Sequence, residues 1–581
     1  MKKINFTRAY LVSALVLALI PGTVFAGGRS SSARAGGLTE VSVFVMWANG
    51  RSSWEKEDRE WFRNYLRDNM GIALTFKESP EGNHEQFLNV QVAANDMADI
   101  FSFREPSVIA NVIGAGRMLN LNNHKDKLPA VFNQVVLDNA RNYMIETYGG
   151  AEKGLYAMPI RVGANTRVDH NITLRYDIWK QIGSPAIPAF EDLLPVLKKM
   201  QEAYPVNAEG QKVYGFALWS EWDKVGIAPL TYMVRSLGYD LEYASNSVAI
   251  YVDGSKTPLA ITDVNGPYYR VLKICFQANQ MGLLDPDSLT HRFDAMNTKD
   301  IAGRYLYHTV FWADGFTGNR PVEGGPTNAE SGIGFAPVPR GDSMGIAYAD
   351  YPLGESMNVW GIPANTKVRD KALEFYNWHQ SYEGIDIMGN GPRGLIWDIG
   401  SDGLRYITPK GWDILEGRDT SVKFAIASDI LGEMGLSAGL LNPAENFKQP
   451  LAWTSWPSTI ARNNAQNKLW QIWEADHPGS VDYDRWLTAN GYSVKENSGI
   501  RAMPAMPTDI ENMTNLIGDV VKTASWQAIY ASSEAEFNRI WQDCVTKADG
   551  LGMQQVLQWT TKAWGDAQAI GNKYKLPAGY Y

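Results

Sequence analysis

Six tryptophans occupy places where predicted strands end in polar or glycine-containing loops. A flat aromatic ring can cover the C–H face of a sugar, while neighbouring polar side chains hydrogen-bond its hydroxyl groups. Aromatic rings also fill protein cores, so packing is the alternative role for each of them. We favour Trp219 or Trp222, which follow one predicted strand, for stacking. The candidates are Trp47, Trp219, Trp222, Trp312 with the nearby Asp314, Trp360 and Trp397, of which Trp360 is expected to begin a segment that crosses between lobes.

Three arginines are the charged candidates for the same site. Arg104 ends a predicted strand, Arg161 follows the segment 154–159, and Arg393 lies in the glycine-rich turn 391–394. If the ligand is an acidic sugar, such as a uronate-containing oligosaccharide, a guanidinium group can pair with its carboxylate through two parallel hydrogen bonds. A solvated or structural arginine is the open alternative for each of the three.

Catalytic motifs give little support to an enzyme. The segment 435–439 matches the nucleophile-elbow pattern, but the residues before it predict a helix where that motif needs a strand. A secreted glycoside hydrolase stays open as an alternative, because its two carboxylates cannot be chosen among 63 acidic residues without geometry. A surface adhesion or structural protein is disfavoured by the lack of repeats and of an anchor. We expect no enzymatic activity and no cofactor.

Alternating strands and helices must position these residues. Apolar runs at 41–47, 72–76 and 98–103 predict strands, and helical spacing of apolar residues predicts helices between them. This β-α-β-α-β order is typical of a parallel sheet that binds ligands beyond the carboxyl ends of its strands. A similar unit begins at about residue 172, so we expect two α/β lobes, and the chain from 508 onward is predicted to be mainly helical.

The first residues predict export. Lys2, Lys3 and Arg8 precede the apolar stretch 11–20, and the small residues ending at Ala26 fit a signal-peptide cleavage site. The segment 27–39 is glycine- and serine-rich, which predicts a flexible tether. Because no cysteine stands there to carry a lipid anchor, we expect a free periplasmic protein.

Charge and cysteine content narrow the classes of partner. The chain has a net charge of −9, and loss of the first 26 residues, with three basic residues and no acidic one, would make it −12. An acidic protein gains no net attraction to nucleic acid or anionic membranes, so neither is an expected partner. Cys275 and Cys544, the only two cysteines, lie on apolar helix faces, and we expect buried thiols.

Six short motifs occur in a fixed order along the chain. They lie at 95–100, 154–159, 174–183, 282–287, 336–341 and 372–378. In these motifs and their order the chain resembles the family 1 extracellular solute-binding proteins of ABC importers, in particular the long subgroup that binds carbohydrates and alginate oligosaccharides. The resemblance spans about residues 40–575.

The resemblance implies a two-lobed periplasmic-binding-protein fold, type II-like, with hinged lobes and a helix-rich C-terminal part. It would be a monomer that closes on a carbohydrate and delivers it to the ABC permease subunits in the membrane, with Arg161 approaching the cleft. We expect the signal peptide at 1–26, the tether at 27–39, the first lobe at 40–168 and 304–365, and the second lobe at 169–303 and 366–581.

Several members of this subgroup carry a calcium loop after the helix that follows the Arg175–Asp177 segment. Here the loop is 204–210, with one carboxylate and one amide. Calcium takes six to eight oxygen ligands, usually including several carboxylates, so we expect no metal at this loop.

Overall fold

Sixteen strands form five sheets in the part of the chain that the computed structural model describes. That part comprises residues 37–45, 54–79, 84–165, 168–169, 172–223, 225–243, 245–308, 329–341, 345–428, 431, 435–436, 439–443 and 448–580. The strands are β1 (Thr39–Phe44), β2 (Ile72–Lys77), β3 (Ile100–Arg104), β4 (Ala157–Ile160), β5 (Val168–Asp169), β6 (Thr173–Arg175), β7 (Tyr239–Asp240), β8 (Val248–Tyr251), β9 (Leu259–Ala260), β10 (Tyr307–His308), β11 (Phe335–Pro337), β12 (Gly345–Ala347), β13 (Glu355–Gly361), β14 (Trp397–Ile399), β15 (Arg405–Ile407) and β16 (Ser493–Lys495).

Helices surround these sheets and dominate the C-terminal part, as predicted. In the described residues they are α1 (Glu60–Met70), α2 (His84–Ala94), α3 (Pro106–Gly114), α4 (Pro129–Asn133), α5 (Asp138–Tyr148), α6 (Tyr176–Gln181), α7 (Leu193–Ala203), α8 (Ala228–Arg235), α9 (Pro267–Gln280), α10 (Phe293–Ile301), α11 (Arg369–His379), α12 (Tyr382–Asn390), α13 (Pro409–Leu415), α14 (Pro457–Gln466), α15 (Lys468–Asp476), α16 (Tyr483–Ala489), α17 (Thr508–Ile529), α18 (Glu534–Gly550) and α19 (Met553–Lys573). None of the described helices is both long and apolar enough to cross a membrane.

The first lobe is built on a five-stranded sheet of order β2-β1-β3-β13-β4. Strands β1, β2 and β3 are parallel and alternate with α1 and α2, which confirms the predicted β-α-β-α-β unit. Strand β13 runs antiparallel between β3 and β4. Its seven residues are all buried, because it occupies an interior position of the sheet with helices packed around it.

A separate hydrophobic core holds the second lobe together. It centres on β6, which pairs antiparallel with both β10 and β11, and on α7, α9, α17 and α18. Tyr214 pairs in parallel with Tyr305, and Phe216 with Leu284, each through a single β-bridge. The segment 213–218, whose apolar residues predict a strand, therefore pairs only at isolated positions. Two hydrophobic cores in one chain confirm the two-lobed α/β fold.

The chain passes between the lobes through three short strands. Strand β12 pairs with β5 on one side and with β16 on the other, which makes a small sheet out of the crossing segments. After α19, the residues Tyr574 and Leu576 pack in the first-lobe core, so the chain crosses between the lobes there as well. Narrow connections of this kind are where lobes of a binding protein hinge.

Two of the predicted lobe boundaries differ from the structure. Strands β10 and β11 pair with β6, so the described residues 304–308 and 329–341 belong to the second lobe and not to the first. Helix α11 packs Leu373, Phe375 and Tyr376 into the first-lobe core, so the chain after 366 does not lie wholly in the second lobe. It enters the second-lobe core again with Leu469 in α15.

Both cysteines are buried and free, as predicted. Cys275 lies in α9 and Cys544 in α18, each within the second-lobe core. Burial raises the pKa of Cys275, and it raises the pKa of Cys544 to about 12. At neutral pH both side chains are therefore thiols that pack as small apolar groups.

Candidate functional site

Three charged side chains gather at one edge of the first-lobe sheet. Arg104 ends β3, Arg161 follows β4, and Glu355 begins β13, which runs in the opposite direction. The carboxyl ends of β3 and β4 therefore meet the amino end of β13. A bulge in β13 between Glu355 and Val359 interrupts its pairing with β4 at this edge. Bulges beside sheet edges commonly redirect a side chain toward a site.

Residues from the hinge and the second lobe complete this group. Arg501, in the helical turn Ser498–Ala502, lies 3.7 Å from Glu355, and its guanidinium carbon is 4.2 Å from the centre of the Tyr243 ring. Arg501 also donates a hydrogen bond of 3.1 Å to the Tyr351 hydroxyl. Arg161 Nη1 lies 3.5 Å from Glu355 Oε2. We call Arg104, Arg161, Tyr243, Tyr351, Glu355 and Arg501 the hinge cluster.

The hinge cluster joins both lobes electrostatically. Burial opposes the charge of Arg104, but the carboxylates of Glu355 and Glu105 in the first lobe and of Glu242 in the second help to raise its pKa above the ordinary value. Burial also raises the pKa of Tyr243, so this phenol stays protonated and can donate a hydrogen bond. The cluster thus combines arginine forks and phenol groups where a planar or anionic ligand can meet both lobes.

Strained backbone marks three positions near the predicted site residues. Arg161 and Trp222 have φ of 56° and 66°, and Glu105, next to Arg104, has φ of 70°. Residues other than glycine adopt this left-handed region at a cost of about 1 kcal/mol or more, and such residues cluster at binding sites. The strain supports Arg161 and Trp222 as functional candidates.

A loop beyond the second-lobe bridges brings Trp219 and Trp222 together. Their ring centres are 5.8 Å apart, and both rings also contact Phe293. Backbone hydrogen bonds fix the loop, because Ser220 N–H donates to His291 and Phe293 N–H donates to the Glu221 carboxylate. Trp219 is fully buried, whereas Trp222 is 48% exposed. Of this pair, only Trp222 has a ring that is open to solvent, and Trp219 packs beneath it.

The same loop ends at Asp223, whose carboxylate accepts a hydrogen bond from the backbone N–H of Ala228. Burial raises the pKa of Asp223 above its ordinary value of about 4 and outweighs the opposing effects of this hydrogen bond and of the nearby Trp526 indole. The folded protein therefore holds this proton more tightly than the unfolded chain does.

Asp223→Asn should change how stability depends on pH. Between pH 4 and the raised pKa, the folded wild type binds more protons than the unfolded chain, so its free energy of unfolding falls as pH rises. The variant lacks this contribution. The free energy of unfolding of the wild type minus that of the variant should therefore be greatest below about pH 4 and should decrease above it. Thermal unfolding from pH 3.5 to 7 measures the difference. The exposed Asp126→Asn is the control, and a flat difference for Asp223→Asn would refute the assignment.

Trp360 does not lie in a crossing segment, contrary to the sequence-based expectation. It is a residue of β13 opposite Ser102 and Met158, and its ring stacks on His379 at 4.6 Å. Only 1% of its surface is exposed. In this structure Trp360 is a packing residue of the first lobe, because both ring faces are covered.

Arg393 and Trp397 are brought together, but outside the hinge cluster. Arg393 Nε donates to Asp398 at 2.9 Å, and its guanidinium carbon lies 6.0 Å from the Trp397 ring centre. The Trp397 indole donates to the Gly391 carbonyl, and the ring packs against Trp456 in a small core of its own. Trp397 is therefore buried, whereas the Arg393 side chain is exposed.

The remaining candidates lie outside the described residues. These are Trp47, Trp312 and Asp314. Trp47 comes three residues after β1, and Trp312 comes four residues after β10. Their place in the site stays a prediction from the sequence.

The loop 204–210 lies where several members of the similar subgroup bind calcium, but its side chains do not suit calcium in this chain. The Asn207 side-chain oxygen accepts hydrogen bonds from the backbone N–H groups of Glu209 and Gln211, so it serves the turn itself. A second acidic group, Asp285 and Asp287 near His291, already contains a cation, because Lys299 Nζ lies 2.9 Å from Asp285 and 2.7 Å from Asp287. Neither group of residues leads us to propose a metal.

Sequence reasoning missed four members of the hinge cluster. Tyr243, the neighbouring pair Tyr351 and Glu355, and Arg501 come from three segments separated by more than a hundred residues, and only the crossings of the chain bring them together. One local signal was available. Glu355 is the only charged residue of the segment Glu355–Gly361, and charged residues are rarely buried in a strand without a partner.

Comparison with solved structures places this geometry in a known fold. An HMO binding ABC-transporter associated solute binding protein from Bifidobacterium longum infantis matches with a TM-score of 0.55 and 14% identity, over 92% of this chain and 99% of that one. The alginate-binding protein AlgQ2 matches with 0.56 and 14%, over 92% and 99%. The ABC-transporter substrate binding protein FusA from S. pneumoniae, in complex with kestose, matches with 0.57 and 11%, over 91% and 100%.

No protein-family profile and no curated protein matches the sequence. At these levels of identity the structural matches establish the fold, and they cover nearly the whole of each solved chain. The two hydrophobic cores, the short crossing strands and the matched solved structures all indicate the same fold. This chain has the two-lobed α/β fold of the solute-binding proteins of ABC transporters.

Proposed function

We propose that this protein is an exported solute-binding receptor that captures an oligosaccharide between its lobes and delivers it to an ABC permease. The carrying observation is the hinge cluster, in which Arg501 lies 3.7 Å from Glu355 of the first lobe and 4.2 Å from the centre of the Tyr243 ring of the second. A ligand that contacts both lobes favours the closed form, because only a difference in affinity between two states shifts their populations.

The fold supports a carbohydrate as the ligand. Solved proteins of this fold include ones described as binding HMO, alginate, kestose and N-glycan fragments. The half-exposed ring of Trp222 supplies a stacking surface, and Arg104 and Arg161 supply planar hydrogen-bond donors. A uronate-containing oligosaccharide suits this set best, because a guanidinium fork matches a carboxylate. We propose that the receptor acts as a periplasmic monomer.

A binding experiment with product analysis tests the proposal against the hydrolase alternative. Uronate and neutral oligosaccharides are titrated into the protein while tryptophan fluorescence is recorded, and each ligand is then recovered for chromatography. We expect a saturable fluorescence change and an unaltered ligand. Release of reducing ends would instead establish a glycoside hydrolase.

Arg161→Ala should weaken binding of an acidic oligosaccharide about tenfold or more, because a hydrogen bond to a charged group contributes roughly 1.5–3 kcal/mol. Nearly half of the Arg161 side chain is exposed, so the fold should survive the change. Calorimetry with a uronate trimer measures the effect. Arg393→Ala is the matched control, since Arg393 is exposed and bound to one carboxylate but lies outside the hinge cluster. Equal affinities of the two variants would exclude Arg161 from the site.

A further inference from the structure

A cavity in the second lobe lies beside the Trp222 loop and has no part in the hinge cluster. Its volume is about 560 Å³, and its lining includes Ser220, Asp223, Leu289, Lys522, Trp526 and Tyr530. We call it the α17 pocket, because the last two turns of α17 form one wall. Pockets that bind small molecules commonly measure about 300–1,000 Å³.

Hydrogen bonds hold the aromatic wall of the pocket in place. The Asp223 carboxylate accepts a hydrogen bond of 2.8 Å from the Ala228 backbone N–H, and the Trp526 indole lies near enough to this carboxylate to lower its pKa. The Tyr530 hydroxyl lies 3.5 Å from the Pro286 carbonyl oxygen. Trp526 packs one part of its ring on the second-lobe core and leaves another part accessible. An aromatic ring fixed in this way offers a stacking surface at little cost in side-chain entropy.

The polar groups of the pocket suit hydroxyl groups. Ser220 and Asp223 lie on the loop, and Lys522, Thr523 and Gln527 lie on α17, so acceptors and donors surround the two rings. Burial of the Asp223 carboxylate already disfavours its charge, and the raised pKa of Asp223 shows this cost. A second carboxylate in the pocket would add repulsion, whereas a hydroxyl group could donate to Asp223.

We infer that the α17 pocket binds one neutral sugar ring, stacked on Trp526, in addition to the acidic group bound by the arginines of the hinge cluster. This inference rests on the proposed function, because it names a second part of the same ligand class. The ligand would then be an oligosaccharide with both neutral and acidic units. Ser220 and Asp223 flank Trp222, so one loop would serve both the pocket and the exposed ring.

Fluorine NMR of protein labelled with 5-fluorotryptophan tests the pocket in the folded wild type. Conservative Trp526→Phe and Trp222→Phe variants assign the two resonances. The probes are the methyl glycosides of glucose, galactose, mannose and N-acetylglucosamine, with methyl glucuronide as the acidic comparison. We expect at least one neutral probe to shift the Trp526 resonance in a saturable way, and the acidic probe to shift it less. No shift by any neutral probe, or a stronger effect of the glucuronide, would overturn the inference.

Variants separate this inference from the proposed function. Trp526→Ala should weaken binding of the effective neutral probe about tenfold, because the change removes the ring on which the sugar stacks. Trp559→Ala is the control, because Trp559 is another partly buried tryptophan of the second lobe outside the pocket. Arg161→Ala should leave the Trp526 shift unchanged. If neutral probes shift the Trp526 resonance but no oligosaccharide binds between the lobes, the inference about the pocket is supported and the proposed function is wrong. If Trp559→Ala loses affinity for the neutral probe and Trp526→Ala does not, the inference about the pocket is wrong.

Discussion

Replacing Glu355 by leucine should lower the free energy of unfolding by about 3–5 kcal/mol, because the change leaves a buried guanidinium without its carboxylate. Glu355 is 6% exposed and Arg501 is 2% exposed, and their charged groups lie 3.7 Å apart. Water cannot replace the lost carboxylate at a site so enclosed. The Ser356 hydroxyl donates a hydrogen bond to the backbone carbonyl of Arg501, which also helps to fix the position of this arginine.

Chemical denaturation at neutral pH measures this loss. The control is Glu534→Leu, which removes the carboxylate of an exposed pair with Lys273, and exposed pairs contribute about 0–1 kcal/mol. A loss in Glu355→Leu no greater than in Glu534→Leu would show that Arg501 does not depend on Glu355. Arg501→Met together with Glu355→Leu should recover part of the stability, since the double change removes both buried charges.

Trp219→Ala and Trp222→Ala should affect different properties although the two residues are three positions apart. The first should mainly lower stability, and the second should mainly weaken ligand binding. Trp219 is fully buried between Trp222, Tyr232 and Phe293, so its loss leaves a cavity and should cost about 3–5 kcal/mol of stability. Trp222 is half exposed, so its loss should cost much less stability but should weaken oligosaccharide binding.

Thermal unfolding and calorimetry with the same oligosaccharide distinguish the two roles. We expect a lower melting temperature for Trp219→Ala and a weaker affinity for Trp222→Ala. Trp219→Phe, which keeps an aromatic ring in the core, should be much milder than Trp219→Ala. Normal affinity in Trp222→Ala would remove this ring from the site.

The β-α-β-α-β start of the first lobe was predictable because its signals are local. Apolar runs and helical spacing between residues 41 and 103 determine the elements, and the structure has them in that order. The buried thiols followed from helix faces for the same reason. Such patterns depend on neighbours within about ten residues, which a sequence displays directly.

The lobe boundaries were not predictable in this way, because the crossings are strands of two or three residues. Strands β5, β12 and β16 are too short to show a period, and their pairing joins segments far apart in the chain. An apolar crossing strand and a buried interior strand also look alike in sequence. Trp360 was therefore expected at a crossing, although it lies inside β13.

The candidate site was predictable only in part, because the sequence does not show which of the candidate side chains are exposed. A tryptophan at a strand end is identified by sequence, but only packing decides whether its ring faces solvent, as the pair Trp219 and Trp222 shows. Arg161 was identified from a motif, whereas its partner Glu355 lies almost two hundred residues away. Trp526 stands in a long helix among other apolar residues, where nothing local separates a pocket wall from a core residue.

Small-angle X-ray scattering with and without saturating oligosaccharide tests the central claim most directly. The hinge cluster and the short crossing strands predict that ligand draws the lobes together, so the radius of gyration should decrease, and it should decrease less in Arg161→Ala at the same ligand concentration. Identical scattering profiles at a ligand concentration that calorimetry shows to be saturating would contradict a receptor that works by closing its lobes.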